Sequence, residues 1–150
     1  MVNLRPVAFV TAVFTVVCFV SSGLTAFAQP EVSASCAALM VAETGELIYG
    51  KNEHDRRSMA STTKIMTSLL AIEALTPQRK ITVSADMLNV EGTSMGLLPG
   101  DTVTLEGLVY GMLLQSGNDA ANVTAITLGG NVENFVSMMN KRAGEIGMND

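Results

Sequence analysis

The chain has 150 residues, of which 48% are hydrophobic and 5% aromatic, and its 9 Lys and Arg against 14 Asp and Glu give a formal net charge of −5. This length allows at most one modest domain, the apolar fraction excludes a disordered chain, and two cysteines are too few for a disulfide scaffold. A nucleic-acid partner is disfavoured, because a pI near 4.8 describes a surface that repels phosphate.

The first 28 residues have the three parts of a secretory signal. A basic start at Arg5 precedes an uncharged run over residues 7–20, and small residues follow at Ala26 and Ala28. Because that run is shorter than the ~20 residues that a membrane-spanning helix needs, we expect cleavage after Ala28 rather than an uncleaved anchor. Residues 1–28 are therefore interpreted as a signal peptide, and the protein is expected to be exported.

The mature chain opens with two short apolar runs, residues 37–42 and 47–49. Gly45 between them can adopt the positive φ of a tight turn, so the pattern predicts a β-hairpin. Two strands do not make a sheet that is stable alone, and no closing strand follows before Asp150. We therefore expect an α/β protein of the α+β type, in which residues 29–150 are an incomplete N-terminal part and further strands lie beyond this sequence.

Helical patterns fill most of the remaining chain. Apolar residues recur every three or four positions over residues 64–75, which predicts a helix that begins near Ser61 and stops before Pro77. This helix is apolar on almost all sides, so we expect it to lie at the centre of the fold. Caps at Thr104 and Asn131 and the apolar spacing predict further helical segments at residues 85–88, 105–115, 119–128 and 132–146.

The first motif that carries chemistry is Ser61-Thr62-Thr63-Lys64. On a helix, residues three apart lie on one face with Cβ atoms about 5–6 Å apart, so the Lys64 amine can reach the Ser61 hydroxyl. The positive end of the helix favours negative charge at Ser61, and burial would favour the neutral amine that accepts a proton. Such a pair can act as nucleophile and general base, although a capping serine and a solvated lysine are the ordinary interpretation of this motif alone.

The second motif is Ser116-Gly117-Asn118, which lies between two predicted helices. A hydroxyl and an amide two residues apart can both project from a turn into a cleft. Taken alone, these residues describe an ordinary helix–loop–helix connector. Together with the first motif, they predict a site for nucleophilic catalysis.

Ser-x-x-Lys followed by Ser-x-Asn resembles the signature of penicillin-binding proteins and serine β-lactamases. The flanking residues are similar to those of one branch, the low-molecular-mass D-alanyl-D-alanine carboxypeptidases; they are residues 37–41, 43–47, 59–67, 92–94, 99–101 and 113–121. The resemblance implies a β-lactamase/transpeptidase-like fold, with the N-terminal hairpin and helical subdomain present here and the C-terminal sheet strands missing. The third element of the signature is Lys-Thr-Gly, and none of the lysines in this sequence is followed by Thr-Gly.

The resemblance also implies a role for each matching residue. Ser61 would be the nucleophile that attacks a peptidoglycan stem peptide ending in D-Ala-D-Ala, with Lys64 as the general base. Ser116 would relay a proton to the leaving amine, and Asn118 would bind the substrate amide and help to fix Lys64. A β-lactam antibiotic would acylate Ser61, and no metal or other cofactor is implied.

Two alternatives stay open. A serine β-lactamase is disfavoured by Gly117, where that pattern has Asp, and by the carboxypeptidase-like flanks. A non-catalytic penicillin or muropeptide sensor, or an inactive truncated fragment, is the other alternative, because the Lys-Thr-Gly element is absent. The resemblance further implies a location in the periplasm or at the outer face of the cytoplasmic membrane, with membrane association through a C-terminal segment outside this sequence.

Overall fold

A computed structural model describes residues 30–74, 76 and 78–148. The predicted signal peptide at residues 1–28, the predicted helix stop at Pro77 and the chain end at Asp150 lie outside the described residues. The chain divides into two compact units, residues 1–53 and residues 54–150. Within the described ranges, none of the helices is both long enough and apolar enough to cross a membrane.

The first unit contains the predicted hairpin. Strand β1 (Ala37–Met40) pairs antiparallel with strand β2 (Leu47–Lys51), and Gly45 between them has the predicted positive φ of 72°. Strand β1 has a register shift between Leu39 and Met40 and ends two residues earlier than predicted, while β2 extends two residues further. The hairpin is confirmed, with small differences in its bounds.

The second unit contains the helices. A 3-10 turn (Ala60–Thr62) leads directly into α1 (Thr63–Glu73), and the short helical segment predicted at Ala85–Leu88 is present as a second 3-10 turn. The following helices are α2 (Leu105–Gln115), α3 (Asn118–Gly129) and α4 (Val132–Glu145). The Thr104 side chain accepts a hydrogen bond from the backbone of residue 107 at 3.1 Å, and the Asn131 side chain accepts one from residue 134 at 2.7 Å. Both predicted caps are therefore confirmed.

A second small sheet was not predicted. Strand β3 (Lys80–Thr82) pairs antiparallel with β4 (Thr102–Thr104), so that Ile81 faces Val103 across the ladder. Each strand has three residues with a single apolar centre, which is too short to show an alternating pattern. The pairing brings together the two ends of an irregular segment, residues 83–101, that reaches the candidate site.

The core of this unit is built around α2 rather than α1. Leu105 and Leu108 of α2 are fully buried, and the core also contains Ala71, Ile81, Val83, Met112, Ala120 and Val123. Helix α1 packs against α2, α3 and α4, as a central position requires, but its apolar surface is not buried on all sides, because Ile65 and Ile72 are 62% and 60% exposed. The buried edge of α1 instead carries the smaller or polar residues Lys64, Thr67, Ser68 and Ala71. This orientation directs the Lys64 amine into the unit.

Candidate active site

The side chains of Ser61, Lys64 and Ser116 form a triangle of hydrogen bonds. Lys64 Nζ donates to Ser61 Oγ at 3.3 Å and to Ser116 Oγ at 3.4 Å, and Ser116 Oγ donates to Ser61 Oγ at 2.8 Å. Lys64 is only 7% exposed, whereas Ser61 is exposed. The hydroxyl that would attack a substrate is therefore accessible, and the amine that would take its proton lies behind it.

The surroundings of Lys64 contain no acidic partner within the part of the chain that the structure describes. None of the ion pairs among those residues involves its amine. The same residues contain no group of three or more His, Cys, Asp or Glu side chains placed to hold a metal ion. The groups that the hydrogen bonds bring together at this site are two hydroxyls and one amine.

Ser61 is presented by a strained backbone. Ala60, the residue before it, has a left-handed φ of +46°, a conformation that costs an alanine about 1–2 kcal/mol. The hydroxyls of Thr62 and Thr63 donate to the carbonyls of Met59 and Ala60, at 2.5 and 2.9 Å, and hold the turn. Strain of this kind is concentrated at functional sites. Sequence reasoning missed it, because nothing about alanine indicates a left-handed position.

Ser116 also has a left-handed backbone, with φ 55° and ψ 32°. This conformation ends α2, and the N–H of Gly117 returns to the carbonyl of Gly111 at 3.1 Å. The Ser116 carbonyl accepts a hydrogen bond from Thr93 Oγ1 at 2.6 Å. The turn thus directs the Ser116 hydroxyl towards Ser61 and lets α3 begin at Asn118.

Asn118 is fixed by an irregular segment that sequence reasoning left without a role. Its side-chain nitrogen donates to the carbonyl of Glu91 at 2.6 Å, and its backbone N–H donates to the carbonyl of Thr93 at 2.7 Å. Gly92 between them has φ +94°, and a Cβ there would lie 2.6 Å from Asn118 Nδ2. Among the described residues, no hydrogen bond joins Asn118 to Lys64, whose amine binds the two serines.

Asp119, next to Asn118, is a buried residue that the sequence analysis did not single out. It is only 4% exposed, and within the described residues its carboxylate accepts five hydrogen bonds, from Ser94 Oγ and from the backbone N–H groups of Met95, Gly96, Leu97 and Ala120. Burial of the carboxylate raises its pKa, but the hydrogen bonds outweigh burial and lower the pKa to about 2. The buried side chain therefore remains ionised at neutral pH.

A cavity of about 390 Å³ opens beside Asn118. Its walls combine apolar side chains, such as Val136 and Met139, with polar ones, such as Thr67 and Asn122. Ser61 is not among the residues that line it.

Comparisons with known proteins agree with the motifs. The family model described as D-alanyl-D-alanine carboxypeptidase matches residues 24–150. D-alanyl-D-alanine carboxypeptidase DacF of Bacillus subtilis is 38% identical over 120 residues, which cover 77% of this chain and 31% of the relative. The chain spans about a third of the length of the curated relatives that it matches.

Solved structures give the same result for the fold. The crystal structure of D-alanyl-D-alanine carboxypeptidase DacD from Francisella tularensis is similar with a TM-score of 0.76 and 36% identity, over 81% of this chain and 31% of that one. Penicillin binding protein 6B from Escherichia coli is similar with a TM-score of 0.73 and 33% identity, over 81% and 42% of the two chains. The predicted fold class is confirmed, as a partial domain.

Proposed function

We propose that this chain, which belongs to the D-alanyl-D-alanine carboxypeptidase family, supplies the nucleophile-bearing part of a serine-type enzyme that removes the terminal D-alanine from peptidoglycan stem peptides. The observation that carries the proposal is the triangle of Ser61, Lys64 and Ser116, with separations of 3.3, 3.4 and 2.8 Å. A hydroxyl nucleophile needs an adjacent base and a route for its proton, and this arrangement offers both.

In the proposed acylation step, Ser61 Oγ attacks the carbonyl carbon of the penultimate D-alanine, and Lys64 Nζ accepts the hydroxyl proton. The carbonyl oxygen becomes an oxyanion, which donors near the helix N-terminus stabilise. When the oxyanion collapses, the C–N bond to the terminal D-alanine breaks. The proton passes from Lys64 through the Ser116 hydroxyl to the leaving amine, along hydrogen bonds that already link these groups.

In the second step, water attacks the ester carbon of the acyl-enzyme and gives its proton to the same amine. The bond to Ser61 Oγ breaks, Ser61 Oγ takes the proton back from Lys64 Nζ along the hydrogen bond between them, and the shortened stem peptide leaves. Asn118 is proposed to hold the substrate amide through its side chain, whose nitrogen is positioned by Glu91. A β-lactam would acylate Ser61 in the same way, and none of these steps uses a metal ion or a cofactor.

The proposal concerns a protein longer than this sequence. Because the relatives are about three times as long, we propose that residues 29–150 are the N-terminal part of the catalytic domain, and that a Lys-Thr-Gly strand completes the site. Residues 1–28 are proposed to export the protein, so that it acts on peptidoglycan outside the cytoplasm. Attachment to the membrane through a C-terminal segment also belongs to this proposal.

The test is acylation by fluorescent penicillin in the full-length protein that carries this sequence. Ser61→Ala should abolish labelling, and Lys64→Ala should slow it by the ~10²–10⁴-fold typical of a lost general base. Ser137→Ala and Lys141→Ala are matched controls on exposed positions of α4 and should label like the unaltered protein. Normal labelling of Ser61→Ala would refute the proposal.

A second measurement separates the proposed activity from the alternatives. The enzyme should release D-alanine from a pentapeptide ending in D-Ala-D-Ala, and its penicillin adduct should persist. An adduct that is hydrolysed within seconds would indicate a β-lactamase. Stable labelling without any release of D-alanine would indicate a penicillin sensor.

A further inference from the structure

We infer that Asp119 is a positioning residue of the acylation site, which holds residues 94–97 in place so that residues 91–93 fix Ser116 and Asn118. The inference rests on the proposed function, because the residues that it places are those of the proposed site. None of the proposed reaction steps uses the buried Asp119 side chain. Asp119 touches neither Ser61 nor Lys64 through any hydrogen bond among the described residues.

The carboxylate of Asp119 holds residues 94–97 through both of its oxygens. One carboxylate oxygen accepts from Ser94 Oγ at 2.6 Å and from the N–H groups of Gly96 and Leu97, each at 3.1 Å. The other oxygen accepts from the Met95 N–H at 3.0 Å. Successive backbone N–H groups that converge in this way form an anion-binding concavity. The segment therefore wraps around the carboxylate.

The preceding residues link this segment to the site. Residues 91–93 come immediately before Ser94, and they make three hydrogen bonds to the second motif. The Glu91 carbonyl accepts from Asn118 Nδ2, the Thr93 carbonyl accepts from the Asn118 N–H, and Thr93 Oγ1 donates to the Ser116 carbonyl, at 2.6, 2.7 and 2.6 Å. Asn118 and Asp119 are adjacent in α3, so the N-terminus of this helix holds both halves of the segment: Asn118 binds residues 91–93, and Asp119 binds residues 94–97.

Charge and packing also hold the segment in place. The N-terminus of α3 favours a negative charge at Asp119, and the hydrogen bonds keep its pKa near 2 although burial opposes them. Met95 also packs against Gly111 of α2, where a Cβ would clash with its sulfur atom. Residues 94–97 are thus held by the charged side chain of Asp119 and by the packing of Met95. The residues just before them, 91–93, are the ones that position Asn118.

A role in positioning predicts more than a loss of stability. In the full-length protein, Asp119→Asn should slow acylation by penicillin at least ~10-fold, because a displacement of about 1 Å in a reacting group costs up to ~10²-fold. The loss should appear in the acylation rate constant at saturating penicillin, through Ser116, and the concentration needed for half-saturation should rise with it, because Asn118 is also displaced. Gly129→Ala is the matched control: its Cβ would meet the backbone of Phe135 at 2.7 Å, so it should lower the melting temperature without slowing acylation.

Two further measurements keep the inference testable. Thr93→Val removes only the hydroxyl bound to the Ser116 carbonyl, and it should slow acylation in the same direction even if Asp119→Asn does not fold. Hydrogen exchange at the Asn118 N–H, which the Thr93 carbonyl protects, should accelerate in Asp119→Asn but not in Gly129→Ala.

Acylation at the unaltered rate by both Asp119→Asn and Thr93→Val, with unchanged exchange at Asn118, would overturn the inference. A protein that penicillin does not acylate at all would overturn the proposed function instead. In that case, the exchange rate of the Asn118 N–H would still decide whether Asp119 positions this segment.

Discussion

The buried Asp119 carboxylate makes a quantitative prediction about stability and pH. Its pKa is about 2 in the folded protein, against an ordinary value of 3.8. Because the folded protein holds the proton less tightly than the unfolded chain, ionisation of Asp119 stabilises the fold. This contribution is complete above about pH 4 and is lost as the pH falls through 2.

The size of the effect follows from the shift. A change of one pKa unit corresponds to about 1.4 kcal/mol, so lowering the pKa to about 2 stabilises the folded state by about 2 kcal/mol at neutral pH. About half of this, roughly 1 kcal/mol, should already be lost at pH 3. The hydrogen bonds from the Ser94 hydroxyl and from the backbone N–H groups of Met95, Leu97 and Ala120 are the source of this energy.

The assay is urea unfolding of the full-length protein and of Asp119→Asn at pH 7 and at pH 3. The unaltered protein should be the more stable at pH 7, and its advantage should shrink by about 1 kcal/mol at pH 3, since the asparagine has no charge to lose. Asp86→Asn, which replaces an exposed carboxylate without a hydrogen bond among the described residues, is the matched control for the removal of one negative charge. An advantage of Asp119 that is equal at both pH values would refute this reasoning.

Three other substitutions test the backbone around the site. Ala60→Gly should raise the free energy of unfolding by about 0.5–1 kcal/mol, because glycine relieves the left-handed strain but adds freedom to the unfolded chain; lower stability in urea would contradict that strain. Gly92→Ala should slow penicillin acylation, since its Cβ would lie 2.6 Å from Asn118 Nδ2, whereas Gly100→Ala has a similar positive φ and no atom within 4 Å; equal rates for the two variants would show that the clash is harmless. Thr104→Ala removes the cap of α2 and should lower the thermal midpoint, at a cost of about 1 kcal/mol, and an unchanged midpoint would mean that the cap contributes nothing.

The helices could be predicted well because their signals are local. Caps at Thr104 and Asn131 and a regular apolar spacing placed α2 and α4 to within one residue at each end. Strands β3 and β4 have no local signal of this kind, because each is stabilised by pairing with a distant strand: Ile81 of β3 faces Val103 of β4. The orientation of α1 was also missed, because hydropathy favours burial of Ile65, whereas the helix packs through its smaller and polar residues.

The site shows the same division. The family motifs placed Ser61, Lys64 and Ser116 together, and the hydrogen bonds among them fulfil that expectation. The supports of Asn118 could not be predicted, because they are backbone carbonyls, and any residue type carries one. Asp119 had the appearance of an ordinary acidic residue at a helix start, since its partners come from a segment more than twenty residues earlier in the chain.

The left-handed backbone of Ser116 limits how this site can be redesigned. Threonine would bring the same hydroxyl oxygen to position 116, and by chemistry alone it is the natural replacement. Its branched Cβ, however, fits poorly at a φ of 55°, so the exchange would either tilt the oxygen away from its neighbours or unwind the last turn of α2. The backbone conformation at position 116 therefore favours serine over threonine.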